Sequence, residues 1–552
     1  MKKISLPTLE ITYTKTPIDR AYTSPRSSHK IIPKDLPNVL QNPQEHPAVN
    51  PPTHHNDSKI YLGDGAKNPK AGELAPIWIP SDLLSTHTLI AGGIGSGKTT
   101  ILFRLIAGAI NTGRTVIISE AKAGQNGYAD GAAFTDLANY LQRKFPDLKL
   151  YRWVRGNCWF NPLLYLESPQ DRRAFFDSIC QQLQESGGVS GDLVGFVYSA
   201  ANIADWIAIY LLEFTSADRC TLRHLIKFLR DPDRLKQELK AQIDRYHQQL
   251  ASNPQLVINQ TKINRLLDIT QQLRRLNFFY LMKPELIMTR HGLNLFTNLF
   301  DHEDLLKYSE PQADLPELQL TELLYHQSLA IISQPLYDPS SSVIGPLFWD
   351  SLLALVVQLG PNPPARDNCT RQKVLAVLDE THRLPVGRLG ESGDFLREYQ
   401  VGLVEITPTI IDRERWERNR HIYQTLISLS PGVPEVVELI QDRLPNFTSK
   451  PINNLSTSFA NNGQVQTSVS RDPNFALRIS EDNPGVSFRS LRMTGQYTGL
   501  LQSLRLDGEN KVFWIDFEHE LFKEIKSLLA AGVRSDCDLE ILQSIDYILG
   551  LI

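Results

Sequence analysis

A glycine-rich stretch, "LIAGGIGSGKTTILF", constrains the fold of this chain more than any other segment. A short apolar run leads into it, and a run with apolar residues at helical spacing leaves it. Its glycines permit the tight turn in which several backbone N–H groups point inward and attract an anion. The stretch therefore predicts a strand, an anion-binding turn and a helix, in that order.

The segment "GGIGSGKT" matches the pattern G-x-x-x-x-G-K-[ST], and it stands in the strand–helix context that the pattern requires. In this pattern the lysine, here Lys98, contacts the β- and γ-phosphates of a nucleotide, and the next hydroxyl, here Thr99, ligates Mg²⁺. The residues that we expect to bind ATP are Gly92, Gly93, Ile94, Gly95, Ser96, Gly97, Lys98, Thr99 and Thr100.

A second acidic element is needed to hold Mg²⁺ and to activate water. The segment "VLAVLDE" is a continuous apolar strand that ends in Asp379 and Glu380. By itself, this pattern is equally that of a strand-to-helix turn with a capping residue. Beside the glycine-rich turn it indicates a catalytic site, in which Asp379 holds the Mg²⁺ shell with Thr99 and Glu380 polarises the attacking water.

Apolar strands alternate with helices before residue 167 and again after residue 324, which is typical of an α/β fold with a mostly parallel sheet. Between these two parts the chain has the pattern of helices only. The predicted segments are a Pro-rich disordered tail (1–57), an α/β domain in two parts (58–166 and 325–445), a mostly helical inserted domain (167–324) and a C-terminal extension (446–552).

The composition narrows the class of protein. The hydrophobic share is 41% and the formal net charge is −4, so the chain should form packed cores, and any contact with nucleic acid must be local. The five cysteines are scattered without a CxxC pair, which excludes a zinc ribbon and indicates a reducing compartment. The most apolar windows contain Asp205 and Asp350, which favours buried helices. We expect a cytoplasmic protein without an integral membrane segment.

Several motifs, taken in order, resemble those of the HerA/FtsK-type hexameric DNA pumps, most closely the conjugative coupling ATPases of the TraD kind. These motifs are "HTLIAGGIGSGKTT", "TVIISEAKAG", "WFNPL", "VLDETHRL" and "FLREYQVGLVEIT", and they cover roughly residues 58–445. The resemblance implies a RecA-like P-loop ATPase fold. It also implies a homo-oligomeric ring, a hexamer, that uses ATP and Mg²⁺ to move DNA of unspecified strandedness in plasmid or mobile-element transfer or genome defence.

The chain departs from the family in two respects that bear on function. The Pro-rich tail replaces the family's N-terminal membrane helices or β-barrel and offers a contact for a protein partner. The strand after the Asp-Glu pair usually ends in a glutamine that senses the γ-phosphate, and here it ends in the shorter Thr407. These departures leave open a second function, a regulatory or scaffolding ATPase that controls the assembly of a protein complex without moving DNA.

Three further features each admit two interpretations. The segment "DRERWERNR" is either a self-paired helix face or the source of an arginine, Arg418 or Arg420, that completes a neighbouring subunit's site from the active edge of the sheet. Lys122 is either a solvated loop lysine or a site residue. The pair Asn161-Pro162 is either a turn or part of an interface.

Overall fold

The computed structural model of the protein describes nineteen stretches of the chain: 59–66, 75–121, 133–185, 191–253, 257–334, 341–366, 368–379, 389, 393–410, 413–429, 433–443, 448–450, 453–459, 465–471, 477–479, 498–506, 509–516, 525–533 and 539–551. Glu380 and Lys122 lie outside these residues, as do the tail 1–57 and the side chain of Arg418.

Fifteen strands occur in the described residues. They are β1 (Lys59–Ala66), β2 (Ala75–Pro80), β3 (His87–Ala91), β4 (Thr115–Glu120), β5 (Lys149–Trp153), β6 (Ser328–Ser333), β7 (Val374–Leu378), β8 (Val401–Thr407), β9 (Tyr423–Leu429), β10 (Thr448–Lys450), β11 (Asn453–Phe459), β12 (Val465–Arg471), β13 (Leu477–Ile479), β14 (Thr498–Leu506) and β15 (Glu509–Asp516).

Eleven of these strands form one sheet in the order β2-β1-β15-β14-β9-β3-β8-β7-β4-β6-β5. From β9 to β5 every neighbouring pair is parallel. The other four strands extend the sheet in antiparallel fashion beyond β9. The mostly parallel sheet predicted from the sequence is therefore confirmed. The strand expected at "KVFWIDF" is β15, and together with β14 it joins this same sheet.

Sixteen α-helices are described. They are α1 (Lys98–Asn111), α2 (Ala133–Lys144), α3 (Pro169–Glu185), α4 (Leu193–Phe214), α5 (Leu222–Arg230), α6 (Pro232–Ser252), α7 (Val257–Arg275), α8 (Ile287–Phe300), α9 (Glu303–Tyr308), α10 (Leu320–Tyr325), α11 (Ser341–Leu359), α12 (Gly393–Leu396), α13 (Arg413–Asn419), α14 (Pro434–Arg443), α15 (Ile525–Gly532) and α16 (Leu539–Leu549).

The sheet is covered on both faces, so its central strands are apolar throughout. Val116 and Ile118 of β4 pack with α1, α2, α15 and α16 on one face, here called the α1 face. Ile117 points the other way, into a core shared with α3–α11, here called the insertion face. One strand thus supplies both cores, because successive side chains alternate between the two faces.

Helices α3 to α10 stand between β5 and β6, as the helical pattern of this region predicts. Asn161 anchors their start: its side chain is buried, accepts the N–H of Leu163 at 3.3 Å and donates to the carbonyl oxygen of Cys220 at 2.6 Å. Asn161-Pro162 therefore forms a capped turn within the subunit.

Two described helices are long and apolar enough to cross a membrane, Leu193–Phe214 and Ser342–Leu359. Half of the most apolar window of the first and 78% of that of the second are buried inside the protein. The core helices of a globular protein meet the same criteria of length and composition, so these helices are weak evidence for a membrane span.

Candidate nucleotide site

The glycine-rich turn joins β3 to α1 with the backbone geometry that its sequence requires. Gly95 and Gly97 have φ angles of 78° and 94°, in the left-handed region that favours glycine, and α1 begins directly after Gly97. A Cβ at Gly92 would lie 2.8 Å from both the Cβ of Leu429 and the Oγ of Ser96. Each of these three positions therefore needs glycine, for its φ angle or for lack of space.

Lys98 is the first residue of α1, and its ammonium group reaches back across the turn. Its Nζ donates hydrogen bonds to the carbonyl oxygens of Gly92 at 2.7 Å and Gly93 at 2.8 Å, and the side chain is buried. The positive charge is thus held beside the N-terminus of a fourteen-residue helix, where the partial charge of the helix also favours an anion. This arrangement suits the phosphates of a nucleotide.

Asp379 lies at the same edge of the sheet as the glycine-rich turn. Strand β8 separates β3 from β7, and all three are parallel, so their carboxyl ends meet at one edge. Asp379 follows β7 directly, is 1% exposed, and donates its N–H to the carbonyl oxygen of Ser119 at 3.3 Å. Because Val377 belongs to the core of the α1 face, the alternation of the strand directs Asp379 toward α1.

The residues at this edge suit a Mg²⁺ ion that arrives with a nucleotide. Within the described residues no group of three or more His, Cys, Asp or Glu side chains could hold a metal ion by themselves. Mg²⁺ in nucleotide sites keeps several waters and takes one or two carboxylates in addition to the phosphates. Asp379 and the hydroxyl of Thr99 provide the oxygen donors that such an ion needs.

Thr407 ends β8 beside the start of the glycine-rich turn, since it pairs with Ala91 and its carbonyl oxygen accepts the N–H of Gly92 at 3.3 Å. Its hydroxyl donates to the carbonyl oxygen of Thr409 and accepts the N–H of Thr409 at 3.3 Å. The side chain therefore closes a local turn. A role of Thr407 in sensing the γ-phosphate stays a prediction.

The arginine-rich segment lies elsewhere than its position in the sequence suggested. Helix α13 leads from β8 to the start of β9, where Tyr423 pairs with His87, the first residue of β3. Arg420 therefore lies at the amino edge of the sheet, opposite the glycine-rich turn, and our expectation that it lies at the active edge was wrong. The reason is that β8 and β9 are parallel, so the helix that connects them must return to the other edge.

At that edge Arg420 has partners within its own subunit. Its Nη2 lies 3.0 Å from the Oε2 of Glu417, and its carbonyl oxygen accepts a hydrogen bond of 2.7 Å from Arg443. Burial, and then the charge of Arg420, lower the pKa of Arg443 to about 10. A cavity of about 390 Å³ opens here, lined by Arg413, Trp416, Glu417, Arg420, Glu435, Glu438 and Leu439. Arg420 thus pairs with Glu417, as the self-pairing interpretation expects. Because both side chains are exposed to solvent, a role of Arg420 at a neighbouring subunit stays a prediction.

His87 connects β3 to its surroundings through both ring nitrogens. Its Nδ1 accepts the N–H of Leu403 at 3.1 Å, so its Nε2 carries the proton that is shared with the carbonyl oxygen of Gly393, 2.5 Å away. Gly393 opens α12, the first described helix after Asp379. The imidazole is therefore neutral and ties the strand before the glycine-rich turn to the chain that follows Asp379.

The sequence reasoning assigned no role to Glu120, although the structure places it at the site. It ends β4, the strand next to β7, and it is 0% exposed. The signal was present, because an acidic side chain that directly ends a fully apolar strand in a parallel sheet must lie at the carboxyl edge. Lys122, two residues later, lies outside the described residues, and its role stays open.

Comparisons with known proteins give matches among solved structures. No protein-family model and no curated protein matches the chain. The plasmid coupling protein TrwB, in complex with a non-hydrolysable GTP analogue, is similar over 80% of this chain and 87% of its own, with 12% identity and a TM-score of 0.47. TrwB in complex with ADP and Mg²⁺ is similar over 80% of this chain and 86% of its own, with 11% identity and a TM-score of 0.46. VirB4 of Thermoanaerobacter pseudethanolicus is similar over 83% of this chain and 96% of its own, with 14% identity and a TM-score of 0.43.

The structural neighbours of this chain thus include a conjugative coupling protein, the class that its motifs resemble. The α/β fold of a RecA-like P-loop ATPase, expected from the sequence, is confirmed by the strand order and by the turn between β3 and α1. At such low identity the likeness concerns the fold, and the activity must be argued from the residues of this chain.

Proposed function

We propose that this protein is a Mg²⁺-dependent ATPase that assembles as a ring and moves DNA in plasmid or mobile-element transfer or genome defence. One observation carries the ATPase activity. The ammonium group of Lys98, at the start of α1, and the buried carboxylate of Asp379 lie at the same edge of the sheet, with one strand between the strands that position them.

Each residue of the site has a separate proposed role in the reaction. The glycine-rich turn and Lys98 bind the β- and γ-phosphates and stabilise the negative charge that grows on them during transfer. Thr99 and Asp379 hold the Mg²⁺ shell, and Glu380 polarises the attacking water. Mg²⁺, when bound, neutralises the phosphate oxygens.

The position of α13 limits how its arginines could act. Arg418 belongs to α13 and Arg420 directly follows it at the amino edge, so a catalytic role for either would require the nucleotide of a neighbouring subunit. An arginine inserted in this way stabilises the transition state and raises the rate about 10³- to 10⁵-fold in other P-loop enzymes. We propose a hexamer in which one of these two arginines completes the adjacent site.

Mixed rings test this arrangement. Subunits that carry Lys98→Ala and subunits that carry both Arg418→Ala and Arg420→Ala should each be inactive alone. Mixing them should restore partial ATPase activity, because some sites then combine an intact turn with an intact arginine. Full activity of the arginine double variant by itself would leave this segment as a charged helix face.

The order of the five motifs supports DNA as the substrate. With a net charge of −4, the protein must confine its DNA contacts to a local basic surface, such as the channel of a ring. ATP hydrolysis should therefore increase with DNA, and the increase should fade with salt. Contacts to six to ten phosphates would lower the affinity about 10³- to 10⁵-fold between 50 and 200 mM salt. An ATPase rate that does not change when DNA is added at low salt would favour the scaffolding function.

The remaining assignments follow from the sequence. We propose that the protein acts in the cytoplasm and that its Pro-rich residues 1–57 contact a protein partner. We retain the division into an ATPase domain (58–166 and 325–445), an inserted helical domain (167–324) and a C-terminal extension (446–552). Strands β14 and β15 of that extension are part of the central sheet.

A further inference from the structure

Helix α11 is apolar along most of its length, yet two consecutive residues near its middle make buried polar contacts. These residues are Trp349 and Asp350, and both are 0% exposed. Buried polar groups are costly unless a partner is placed accurately, so the two contacts restrict where α11 can lie. Their partners belong to two different parts of the molecule, the central sheet and the inserted helices.

The contact of Trp349 reaches the carboxyl edge of the sheet. Its Nε1 donates a hydrogen bond of 2.8 Å to the Oγ of Ser119, one residue before the end of β4. Ser119 points to the insertion face, because Ile118 belongs to the α1-face core and side chains alternate along a strand. The carbonyl oxygen of Ser119 accepts the N–H of Asp379 at 3.3 Å, which joins the ends of β4 and β7. Trp349 therefore stabilises the backbone that carries Asp379.

The contact of Asp350 reaches the inserted domain. The hydroxyl of Ser178, in α3, donates a hydrogen bond that is shared between the Oδ2 of Asp350 at 3.0 Å and the carbonyl oxygen of Phe175 at 2.8 Å. Phe176 and Leu347, apolar residues of the same two helices, pack in the insertion-face core. Helix α11 thus contacts both the end of β4 and α3, and adjacent residues make the two polar contacts.

We infer that Trp349 is a positioning residue for Asp379 and that, with Asp350, it couples the metal side of the nucleotide site to the inserted helices. This inference rests on the proposed ATPase function. A carboxylate binds a metal ion more firmly when the groups behind it are fixed, and Trp349 fixes the end of β4 to which Asp379 is bonded. A shift of Asp379 on metal binding therefore displaces α11 and, through Asp350, α3. The coupling is reciprocal, so a change in the inserted helices alters metal affinity.

The first test measures metal binding directly, in the full-length protein. Mn²⁺ replaces Mg²⁺, and its binding in the presence of ADP is followed by electron paramagnetic resonance. Trp349→Phe keeps an aromatic ring but removes the N–H donor, and it should weaken Mn²⁺ binding about 2- to 30-fold, the range over which contacts along a network change the coupling of two sites. Binding of a fluorescent ADP analogue with EDTA present should stay parental. A variant that merely folds less well would weaken both kinds of binding together.

Trp153→Phe is the matched control. Trp153 is also 0% exposed and packs against Phe348, as Trp349 does. Its Nε1 donates a hydrogen bond of 3.0 Å to the carbonyl oxygen of Tyr308, in the inserted domain, and this bond does not involve β4 or β7. Both variants should lower the unfolding midpoint, but Trp153→Phe should bind Mn²⁺ as the parent does. Parental Mn²⁺ affinity in Trp349→Phe, or equal weakening in Trp153→Phe, would overturn the inference while leaving the ATPase function intact.

A double-variant cycle tests the bond itself. Ser119→Ala removes the acceptor, so Ser119→Ala combined with Trp349→Phe should weaken Mn²⁺ binding no more than Trp349→Phe alone. Fully additive losses would show that Trp349 does not act through Ser119. If Trp349→Phe does not fold, Ser119→Ala decides alone, and parental Mn²⁺ affinity in that variant overturns the inference.

The second test follows the inserted helices. Binding of Mn²⁺ with ADP should slow amide hydrogen exchange in α3 of the parent protein, and Trp349→Phe and Ser178→Ala should each reduce this response. Exchange in α3 that does not respond to Mn²⁺ with ADP in the parent would overturn the coupling. If the parent binds no nucleotide, with or without a divalent cation, the proposed ATPase function itself is wrong and the inference fails with it.

Discussion

The two faces of the central sheet are stabilised in different ways. On the insertion face, aromatic rings pack against one another: Trp153 and Phe160 meet edge to face with their centroids 5.1 Å apart, and Phe348 packs against both. On the α1 face, buried polar bonds join the apolar contacts. Arg104 of α1 donates to the carbonyl oxygens of Ile548 at 2.6 Å and Leu62 at 2.8 Å.

The apolar contacts and the buried polar groups have different roles. Buried apolar contacts stabilise a fold without fixing any charge, so the insertion face can hold the strands in place. Buried polar groups are costly unless their partners are placed accurately. The insertion side also holds such groups, since Arg172 pairs with Asp205, but those of the carboxyl edge lie beside the glycine-rich turn. Changes at the carboxyl edge beside the glycine-rich turn should therefore alter function, whereas changes in the apolar packing of the insertion face should alter stability.

The largest expected effect is that of Glu380→Gln. The amide cannot polarise water, so ATP turnover should fall about 10²- to 10⁴-fold while nucleotide binding remains. Steady-state hydrolysis and equilibrium nucleotide binding measure the two properties. Glu398→Gln, a change to an exposed carboxylate near α12, serves as the control and should keep the parental rate. A parental rate in Glu380→Gln would show that another group acts as the base.

On the insertion face, Phe296→Ala should act on stability alone. Phe296 is fully buried and packs against Phe176 and Phe300. Its truncation should lower the free energy of unfolding by about 3–5 kcal/mol, and the nucleotide affinity of the folded protein should not change. Denaturant unfolding and nucleotide titration check this. Tyr280→Ala, at a 44% exposed aromatic of the same insertion, should change stability by no more than about 0.5 kcal/mol. A large loss of nucleotide affinity in Phe296→Ala would contradict the prediction that packing on the insertion face affects stability alone.

Arg104→Met should have a smaller effect, confined to the α1 face. The substitution keeps much of the side-chain volume but leaves the carbonyl groups of Ile548 and Leu62 without this donor, which should cost about 1–3 kcal/mol. Faster amide hydrogen exchange in α16 would report it. Lys144→Met removes a partly exposed ion pair with Asp546 and should cost no more than about 1 kcal/mol. Unchanged exchange in Arg104→Met would mean that apolar packing alone holds α16.

The smallest effect is expected from removing residues 1–57. Their sequence contains too few apolar side chains to offset the entropy of ordering them. A truncation that begins at Ser58 should keep the parental unfolding midpoint and basal ATPase rate. An insoluble product would show that the tail packs against the domain.

Much of the fold could be predicted because local patterns determine it. The apolar strands on either side of the insertion and the glycines of the turn depend on backbone geometry and burial, which the sequence displays directly. The order of the strands depends on distant pairing. Nothing local in "KVFWIDF" indicates that β15 pairs with β1, some 450 residues earlier, so its place in the main sheet was not predictable.

The candidate site likewise contains residues that could be predicted from the sequence and residues that could not. Lys98 and Asp379 were predictable because each belongs to a pattern that combines chemistry with a strand end. Glu120 belongs to the quoted motif "TVIISEAKAG", but its proximity to Asp379 was not predicted, because it follows from the register of β4 and β7, which are far apart in sequence. The edge at which Arg420 lies was predicted wrongly, since the direction of α13 depends on the parallel pairing of β9 with β3.

The measurement that tests the central claim most directly is equilibrium binding of Mg²⁺-ATP to the parent protein and to Lys98→Ala. The parent should bind, and the loss of the ammonium group should weaken binding at least about tenfold, since a hydrogen bond to a charged phosphate contributes about 1.5–3 kcal/mol. Lys283→Ala, on the inserted domain, should bind as the parent does. If Lys98→Ala binds Mg²⁺-ATP with parental affinity, the glycine-rich turn is not the nucleotide site.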